Sequence, residues 1–497
     1  MMSRYVRSRY NVNKSVNFQS LTEQEREDIF YAALEVLERT GVKIFDDESR
    51  EYLEEAGCWI EDKVVKIPIS LSEWAVNSAP SKILLYDRDG NRQLDIRDNK
   101  TYYGPGPTNT YHKDPDTGER RRPVLDDTVR VGKVVDALPN IDFAMDLGTP
   151  TGVTDNIADV YAFKALVENT TKPIVHWGFD IDQYQDIIDI ASAVRGGLEE
   201  LQKKPFMFLY SEPTSPLLHS REAIAKVVFA AKNKIPIVYT PCVMSGATTP
   251  ATMAGTIVQG ISESIAGIVV SQLVRKGTPI IMGGVYGIMD MKTTIYSYGS
   301  PEFHLLQAGI AEVAHYMGIP VFGTGGCTDS HVLDGQAAAE AAMSILMAAE
   351  SGANMVHDVG YTASGQMGSL DQLVMGDEII GMVKRIMRGI QVDDEHLAVD
   401  VVDEVGPGGH FLGEEHTVKH FKEETWFPTL INRMRHDGWK TQTNSSTMGE
   451  RIKEKVHDII ENHEVKPLSD DVQAKIDEII EKAEEREANR DKEKKNN

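Results

Sequence analysis

The chain has 497 residues, of which 41% are hydrophobic, and it carries a formal net charge of −24 at pH 7. This acidity argues against a nucleic-acid partner, and no apolar run approaches the roughly 20 residues that a membrane helix requires. The low count of three cysteines and a polar N-terminus without a secretory apolar region predict a cytoplasmic protein with no membrane segment.

Residues 1–100 are predicted to form an α+β cap ahead of the main domain. Thr22 and Glu25 have the spacing of a helix capping box, and the apolar residues that follow recur as on an amphipathic helix. The other predicted elements of the cap are a helix near 47–56, a strand at 63–67 and a hairpin at 82–96.

The next stretch begins with Tyr102 and Tyr103 ahead of a Gly-Pro-Gly-Pro turn, and it continues as a polar segment to Arg122. We interpret it as a long loop. Loops of this length without regular structure are often lids or parts of a site. The pattern therefore favours a functional loop over one that only packs.

Six short apolar runs, most of them opened by proline, each stop at a polar residue or a glycine. They lie at 172–177, 204–212, 235–240, 278–284, 319–326 and 353–358. Runs this short are typical of parallel strands buried on both faces, and helix-length segments separate them, as parallel crossovers require. Two further runs, at 141–147 and 397–402, bring the count to eight. We therefore predict an α/β fold, a (β/α)8 TIM barrel over residues 101–420.

Residues 421–497 are predicted to form a C-terminal helical extension. Ser469 stands where a helix cap is expected, and an apolar stripe that includes Ile476 and Ile480 follows it. The charged run from Glu484 to the C-terminus has no apolar face. We predict that this last stretch frays.

The polar residues that end the strands should face one mouth of the barrel, where such barrels keep their active sites. The candidates are His176, Trp177, Tyr210, Glu212, Thr240, Cys242, Tyr286, Thr324, Cys327, Asp329, His331, His357, Asp358 and Tyr361. Some strand-end residues only cap helices. Asp329 has this alternative, because it precedes a helix predicted to begin near Asp334.

Two other interpretations of these residues stay open. Gly323 to Gly326 form a glycine-rich loop ahead of a helix, a setting that binds phosphate, but the loop matches neither a Walker nor a GxGxxG motif. Zinc accepts ligands such as Cys242, Cys327, His331 and His357, although no CxxC or HxH spacing supports a metal site.

Aromatic rings are the most frequent feature of the predicted mouth, whereas acid–base and nucleophilic motifs are scarce. Tyr102, Tyr111 and the strand-end tyrosines supply ring faces, and Glu212 supplies a carboxylate. Ring faces and one or two carboxylates are what a quaternary ammonium ion needs, through cation–π attraction. The alternative for any single ring is ordinary packing.

The chain resembles the trimethylamine methyltransferase family, in particular the branch that lacks pyrrolysine and is typified by glycine betaine:corrinoid methyltransferases. The resemblance spans residues 18–460 and rests on several motifs: the first helix with Thr40-Gly-Val42, Gly323-Thr-Gly-Gly-Cys-Thr-Asp-Ser330 with Asp334-Gly-Gln336, Val405-Gly-Pro-Gly-Gly-His-Phe-Leu412, Glu415-His-Thr417 and Trp426-Phe-Pro428. It implies an enzyme that moves a methyl group from a methylated amine to the Co(I) corrinoid of a separate small protein.

Within that family we expect a quaternary amine, most plausibly glycine betaine giving dimethylglycine. Carnitine, proline betaine, a zinc-dependent corrinoid or thiol methyltransferase, and a non-catalytic betaine-binding protein are the alternatives. We expect no tightly bound metal, a homo-oligomer, and a cognate corrinoid protein as partner. The predicted substrate-binding residues are Tyr103, His176, Tyr210, Glu212, Tyr286, Thr324, His331 and His357, with Tyr103, Tyr210 and Tyr286 as the cage and the histidines as candidates for the substrate carboxylate.

Overall fold

The structure is a computed structural model that describes residues 16–496; the polar N-terminal sequence considered above lies outside the described residues. The N-terminal elements are α1 (Glu23–Arg39), β1 (Val42–Ile44), α2 (Asp47–Glu55), β2 (Trp59–Glu61), β3 (Val64–Lys66), α3 (Ile69–Ser78), β4 (Ile83–Tyr86) and β5 (Arg92–Ile96).

The middle of the chain alternates strands and helices. Its elements are β6 (Tyr102–Tyr103), β7 (Tyr111–Lys113), β8 (Arg120–Arg121), α4 (Leu125–Ala137), a 3-10 helix (Asp155–Ile157), α5 (Ala158–Asn169), β9 (Ile174–Trp177), α6 (Ile181–Arg195), α7 (Leu198–Lys203), β10 (Met207–Ser211), β11 (Leu218–His219), α8 (Arg221–Asn233), β12 (Ile237–Tyr239), β13 (Cys242–Ser245), α9 (Met253–Val274), β14 (Ile280–Gly283), β15 (Val285–Asp290), β16 (Ile295–Ser297), α10 (Pro301–Tyr316), β17 (Val321–Thr324), α11 (Gly335–Glu350), β18 (Met355–His357), β19 (Tyr361–Thr362), β20 (Met367–Gly368) and α12 (Leu370–Met387).

The C-terminal part is helical. Its elements are α13 (Asp394–Leu397), α14 (Val399–Val405), α15 (Glu415–Glu424), α16 (His436–Gln442), α17 (Met448–Asn462) and α18 (Asp470–Asn496).

A seven-stranded parallel sheet, in the order β6-β18-β17-β14-β12-β10-β9, forms the centre of the fold. All six short apolar runs are strands of this sheet, so that prediction is confirmed. Both edges of the sheet contact one segment: Ala144 bridges Ile174 in parallel, and Asp142 N donates to Tyr103 O at 2.6 Å. The predicted run at 141–147 therefore lies between the two edges, but it forms an isolated bridge and no regular strand.

The predicted strand at 397–402 is wrong, because this stretch is helical in α13 and α14. Asp393 caps the first of these helices by accepting a hydrogen bond from His396 N. A short apolar run does not by itself distinguish a strand from a helix. The seventh strand is instead β6, whose two tyrosines we had assigned to a loop.

The N-terminal elements pack against the sheet and its helices. The capping box of Thr22 and Glu25 is confirmed, and it begins a helix with a buried apolar face. The hairpin β4–β5 is also present as predicted. Its inward residues, such as Leu85 and Leu94, pack with Phe208 and other side chains inside the curved sheet, so the hairpin covers the amino ends of the strands.

Helix α9 is the one described helix long and apolar enough to cross a membrane, although small polar residues interrupt its apolar sequence. Of its most apolar 18-residue window, 78% is buried inside the protein. Its buried polar residues have protein partners; Ser262 Oγ, for example, donates to Ala33 O at 3.1 Å. These contacts are those of a core helix.

The predicted fraying of the C-terminal run does not hold for its described beginning. Ser469 precedes α18 as expected, and Ile476 and Ile480 are buried. Beyond them, Glu487 is only 3% exposed, and Arg486 Nη1 donates to Asp186 at 3.0 Å. Ion pairs to α6 thus hold a segment that has no apolar face of its own.

Candidate functional site

The inward side chains at the carboxyl ends of the central strands form the candidate site. Tyr210 and Phe322 belong to the cluster inside the sheet, and the His357 ring lies 4.3 Å from the Phe322 ring. His357 Nδ1 is 2.7 Å from Gly323 O, a distance at which it donates a hydrogen bond. Burial lowers the pKa of His357 to about 4, so this histidine is neutral at physiological pH.

Glu212 and Asp358 are two carboxyl groups in this site, and the charge of Glu212 acts on Asp358. Glu212 accepts a hydrogen bond from the Tyr210 hydroxyl. Burial raises the pKa of both carboxyls, and the charge of Glu212 raises the pKa of Asp358 further. Asp358 Oδ1 lies 3.4 Å from His357 Nε2, and interactions with the Tyr298 and Tyr361 hydroxyls partly oppose the rise in the pKa of Asp358. A cation placed between these two carboxyl groups would stabilise their ionised forms, which burial disfavours.

Three tyrosines outside the predicted cage surround this carboxyl pair. The ring centroids of Tyr296 and Tyr298 are 5.0 Å apart, and those of Tyr298 and Tyr361 are 6.4 Å apart. Burial raises the pKa of all three phenols, and the negative charge of Asp358 raises it further. The three phenols are therefore neutral at physiological pH, and a cluster of aromatic rings near a carboxyl group is an arrangement suited to a cation.

Asp329 positions one of these rings. Its carboxylate accepts hydrogen bonds from Tyr298 N at 2.8 Å, from Gly299 N at 3.0 Å and from Ser297 Oγ at 2.6 Å. The helix-cap alternative for Asp329 is wrong, since Asp334 caps α11 instead. His331 is exposed at the rim of the site, where it lines a surface cavity of about 430 Å³ beside Tyr296.

The turn after β6 forms one wall of the site. The Tyr361 hydroxyl donates to Pro107 O. A Cβ on Gly106 would lie 2.1 Å from Asp358 Oδ1 and 2.4 Å from the Tyr361 ring. Glycine is required here because any side chain would occupy the space of both groups. The Gly-Pro-Gly-Pro stretch therefore contacts the carboxyl and aromatic groups directly.

Cys242 marks the solvent-accessible side of the site. Its side chain is accessible to solvent, although many protein atoms lie close to the thiol. Burial and the charges of Glu212 and Asp358 raise its pKa above the ordinary thiol range. Cys327 is buried and its pKa is also raised. Neither thiol is therefore an activated thiolate at neutral pH.

Two tyrosines predicted for the cage point away from the mouth. The Tyr103 ring packs outside the sheet, 5.9 Å from Lys384 Nζ of α12. The Tyr286 ring packs against Gly260 of α9, where a Cβ would lie 2.4 Å from its hydroxyl. Strand alternation sends both rings outward, which contradicts a cage role for them. Tyr210 is the predicted cage residue that faces inward.

The side chains of His176 and Thr324 are also occupied by contacts with backbone carbonyl oxygens. His176 Nε2 lies 2.7 Å from Asp159 O, and its ring lies 5.2 Å from that of Phe163 on α5. His176 therefore faces outward and does not lie with the other candidate site residues. Thr324 Oγ1 donates to Gly284 O at 3.2 Å.

The glycine loop that follows β17 does not present free amides to an anion. Gly325 N donates to His357 O at 3.0 Å, and Gly326 N donates to Ser344 Oγ at 2.9 Å. A phosphate-binding loop needs such N–H groups to point at the ligand. The geometry therefore disfavours the phosphate alternative.

Lys226 on α8 is a buried charged residue that a search of strand ends does not find. Its ammonium donates a hydrogen bond to Gly178 O at 2.8 Å and lies 4.8 Å from the Trp177 ring. Burial lowers its pKa to about 8, while Asp159 and Glu212 oppose that shift. The partly buried Lys172 instead donates to three carbonyls, so Lys226 keeps donor capacity that Lys172 has used.

Within residues 16–496, no three His, Cys, Asp or Glu side chains are grouped as a metal site would require. Cys242, Cys327, His331 and His357 in particular do not form such a group. The arrangement suits a small organic cation, held between ring faces and carboxyl groups.

Comparison with known proteins gives a consistent result across nearly the whole chain. The sequence pattern of the trimethylamine methyltransferase family matches residues 2–488. The chain is 32% identical to the trimethylamine methyltransferase of Desulfitobacterium hafniense over 465 residues, covering 93% of each chain. It is also 32% identical to that of Methanosarcina barkeri, covering 95% of this chain and 97% of the relative.

A relative with a different named substrate is less similar. The glycine betaine methyltransferase of Desulfitobacterium hafniense is 28% identical over 462 residues, covering 93% of this chain and 96% of the relative. Among solved structures, the monomethylamine methyltransferase of Methanosarcina barkeri aligns with a TM-score of 0.52 at 13% identity, covering 92% of this chain and 90% of that one. At that identity the likeness shows a shared fold alone.

Proposed function

The chain belongs to the trimethylamine methyltransferase family and is a methyltransferase, and we propose that it transfers a methyl group from a small quaternary amine to a corrinoid protein in the cytoplasm. Glycine betaine is the first candidate for this amine. The observation that carries this proposal is the group of Tyr296, Tyr298 and Tyr361 around Asp358. Neutral ring faces and carboxyl groups attract a quaternary ammonium ion, which has no N–H to donate.

The proposed scaffold is a closed barrel. The seven strands of the sheet would fill seven of the eight strand positions, and the segment at 142–144 would fill the eighth, because it hydrogen-bonds to both edges of the sheet. We keep the boundaries of an N-terminal cap at 1–100, a barrel at 101–420 and a C-terminal extension at 421–497 as a proposal. Closure would gather the carboxyl ends of the strands around one mouth, which the corrinoid partner must reach.

In the proposed chemistry, the protein mainly positions the substrate and interacts with its charge. When bound, the partner's corrinoid supplies the Co(I) nucleophile that accepts the methyl group. The C–N bonding pair stays with nitrogen, and the amine leaves neutral as dimethylglycine. The tyrosine faces would hold the other methyl groups so that one is directed at the mouth. Glu212 and Asp358 would stabilise the positive charge before transfer.

A betaine also carries a carboxylate, and Lys226 is the donor that the geometry favours for it. Its ammonium is buried beside Trp177 and acts electrostatically on Glu212. A charged hydrogen bond of this kind contributes about 1.5–3 kcal/mol. Lys226→Met should therefore weaken glycine betaine binding by about 10- to 100-fold and leave tetramethylammonium binding unchanged. Equal losses for both ligands would remove Lys226 from this role.

A methyl-transfer assay with Co(I) cobalamin tests the function. Glycine betaine, carnitine, choline and trimethylamine would be compared, with release of the demethylated amine as the readout. We expect turnover with glycine betaine and background with trimethylamine. A neutral tertiary amine would have to leave as an amide anion, which is a far poorer leaving group than the neutral amine released from a quaternary substrate.

The outcome distinguishes the finer claim from the coarser one. Turnover with carnitine or another quaternary amine in place of glycine betaine would keep the mechanism and change the substrate. Efficient demethylation of trimethylamine would contradict the mechanism. Activity that survives prolonged chelation is expected, whereas stoichiometric zinc whose removal abolishes transfer would favour the zinc-dependent alternative.

A further inference from the structure

A group of cationic side chains surrounds one carboxylate on the hairpin β4–β5. Asp95 is only 7% exposed. Its carboxylate contacts Lys82 Nζ at 3.6 Å, Arg92 Nη2 at 2.6 Å, Arg97 Nη2 at 3.0 Å and Lys100 Nζ at 2.6 Å. Burial opposes ionisation of Asp95, but the hydrogen bond from Lys100 and the three nearest cations lower its pKa. We call these five residues the Asp95 cluster.

The Asp95 cluster has more donors than its carboxylate can accept. Arg92, Arg97 and Lys100 all contact the same oxygen, Asp95 Oδ2, and a carboxylate oxygen offers about two lone-pair sites. Four cations against one carboxylate leave a surplus of three positive charges, although the whole chain has a formal net charge of −24. Cations held this close repel one another. The cluster can therefore bind a further anion.

A cavity of about 340 Å³ lies beside the Asp95 cluster. Lys82 and Arg97 line it, together with Ser81, Asp98 and His315. With the carboxylate of Asp98 included, the surplus is still two positive charges. Burial lowers the pKa of His315, so this ring is neutral at pH 7 and adds no charge. The volume is at the lower end of the range for small-molecule sites, which suits a small ligand.

Asn354 holds the loop that carries Arg97 and Lys100. This asparagine is 1% exposed, and its Nδ2 donates to Asp98 O at 2.7 Å and to Lys100 O at 3.2 Å. Its Oδ1 accepts from Val321 N at 3.0 Å, which ties the loop to the central sheet. Groups that are already positioned lose less freedom when a ligand binds. The loop is therefore fixed before any ligand arrives.

The cavity lies at the opposite end of the strands from the candidate site. Pro320 and Asn354 line it, and they directly precede β17 and β18, whereas the site for methyl transfer is at the carboxyl ends. We propose that the Asp95 cluster and this cavity bind a small multivalent oxyanion, namely a phosphate or diphosphate group. Arg97 offers the planar fork and Lys82 the point charge that recognise such groups.

The test is calorimetric titration of the full-length protein with diphosphate. Sodium chloride keeps the ionic strength constant, so that general screening is the same throughout. The cavity variant combines Lys82→Gln with Arg97→Gln. The matched control combines Lys276→Gln with Arg39→Gln, which removes the same two kinds of side chain at exposed positions outside the cluster. Circular dichroism reports the fold of each variant.

We expect saturable binding to the unmodified chain and to the control, and at least about tenfold weaker binding to the cavity variant, because two charged hydrogen bonds are lost. Diphosphate should also raise the melting temperature of the unmodified chain, since it binds the folded state. No binding by the unmodified chain, or equal affinities in the cavity variant and the control, would overturn the proposal. The result does not depend on which amine donates the methyl group.

Discussion

Gly106 leaves the space that the Asp358 carboxyl group occupies: a Cβ at position 106 would lie 2.1 Å from Asp358 Oδ1. The turn after β6 and the carboxyl end of β18 are therefore fitted to each other at the proposed cation site. This contact makes the backbone of the Gly-Pro-Gly-Pro turn part of the site wall.

We expect Gly106→Ala to displace Asp358 and Tyr361 and to weaken glycine betaine binding. Overpacking of this kind costs about 1–3 kcal/mol, which should also lower the melting temperature. Gly335→Ala is the control, because a Cβ there meets nothing within 4 Å. Calorimetric titration and thermal unfolding measure the two effects; equal behaviour of the two variants would contradict the proposed wall.

Removal of one ring should reduce cation affinity without unfolding the protein. Tyr296 is only partly buried, so Tyr296→Leu should be tolerated and should cost about 0.5–2 kcal/mol of binding, or about 2- to 30-fold. Tyr296→Phe should retain most of the affinity, because its ring remains. Tyr316→Leu, at a half-exposed tyrosine on α10, serves as the control. Unchanged affinity in Tyr296→Leu would exclude this ring from the cage.

Cation binding should strengthen as the pH rises. The pKa values of Glu212 and Asp358 are raised, so these groups stay protonated at pH values where ordinary carboxyls ionise. A quaternary ammonium ion favours their ionised forms. Affinity should therefore increase as the pH rises through the range in which these two carboxyl groups ionise.

The same shifts act in the opposite direction on the ligand-free protein. A carboxyl whose pKa is raised by folding binds its proton more tightly in the folded state, so its contribution to stability falls as the pH increases.

Glu212→Gln and Asp358→Asn should flatten the pH dependence of binding, and the exposed Glu199→Gln should not. A pH-independent affinity in the unmodified chain would show that these carboxyls do not face the cation.

Cys242 offers a chemical test of where the substrate binds. It is the exposed member of the three free cysteines, whereas Cys58 and Cys327 are buried. Iodoacetamide should modify Cys242 slowly, because its raised pKa leaves little thiolate. Glycine betaine should slow the reaction further by occupying the neighbouring space. Mass spectrometry locates the label, and modification at an unchanged rate in saturating glycine betaine would place the substrate elsewhere.

The sequence alone determined the parallel strands and much of the chemistry at their ends. Short, unalternating runs between helices predict buried parallel strands, and all six are found in the central sheet. Glu212, Tyr210 and His357 were predicted at strand ends, and they lie together. Local signals were also sufficient for the capping box of Thr22 and for the hairpin β4–β5.

Only the tertiary structure decided which rings face the site. Strand alternation turns Tyr103 and Tyr286 outward, while Tyr296 and Tyr298 come from the strand and loop after β15, where sequence position says little about direction. The run at 397–402 is helical although its sequence predicted a strand. Its few apolar residues match the periodicity of a helix as well as that of a strand. Lys226 was missed because it reaches the site from a helix, and contacts between residues distant in sequence are not encoded in any local pattern.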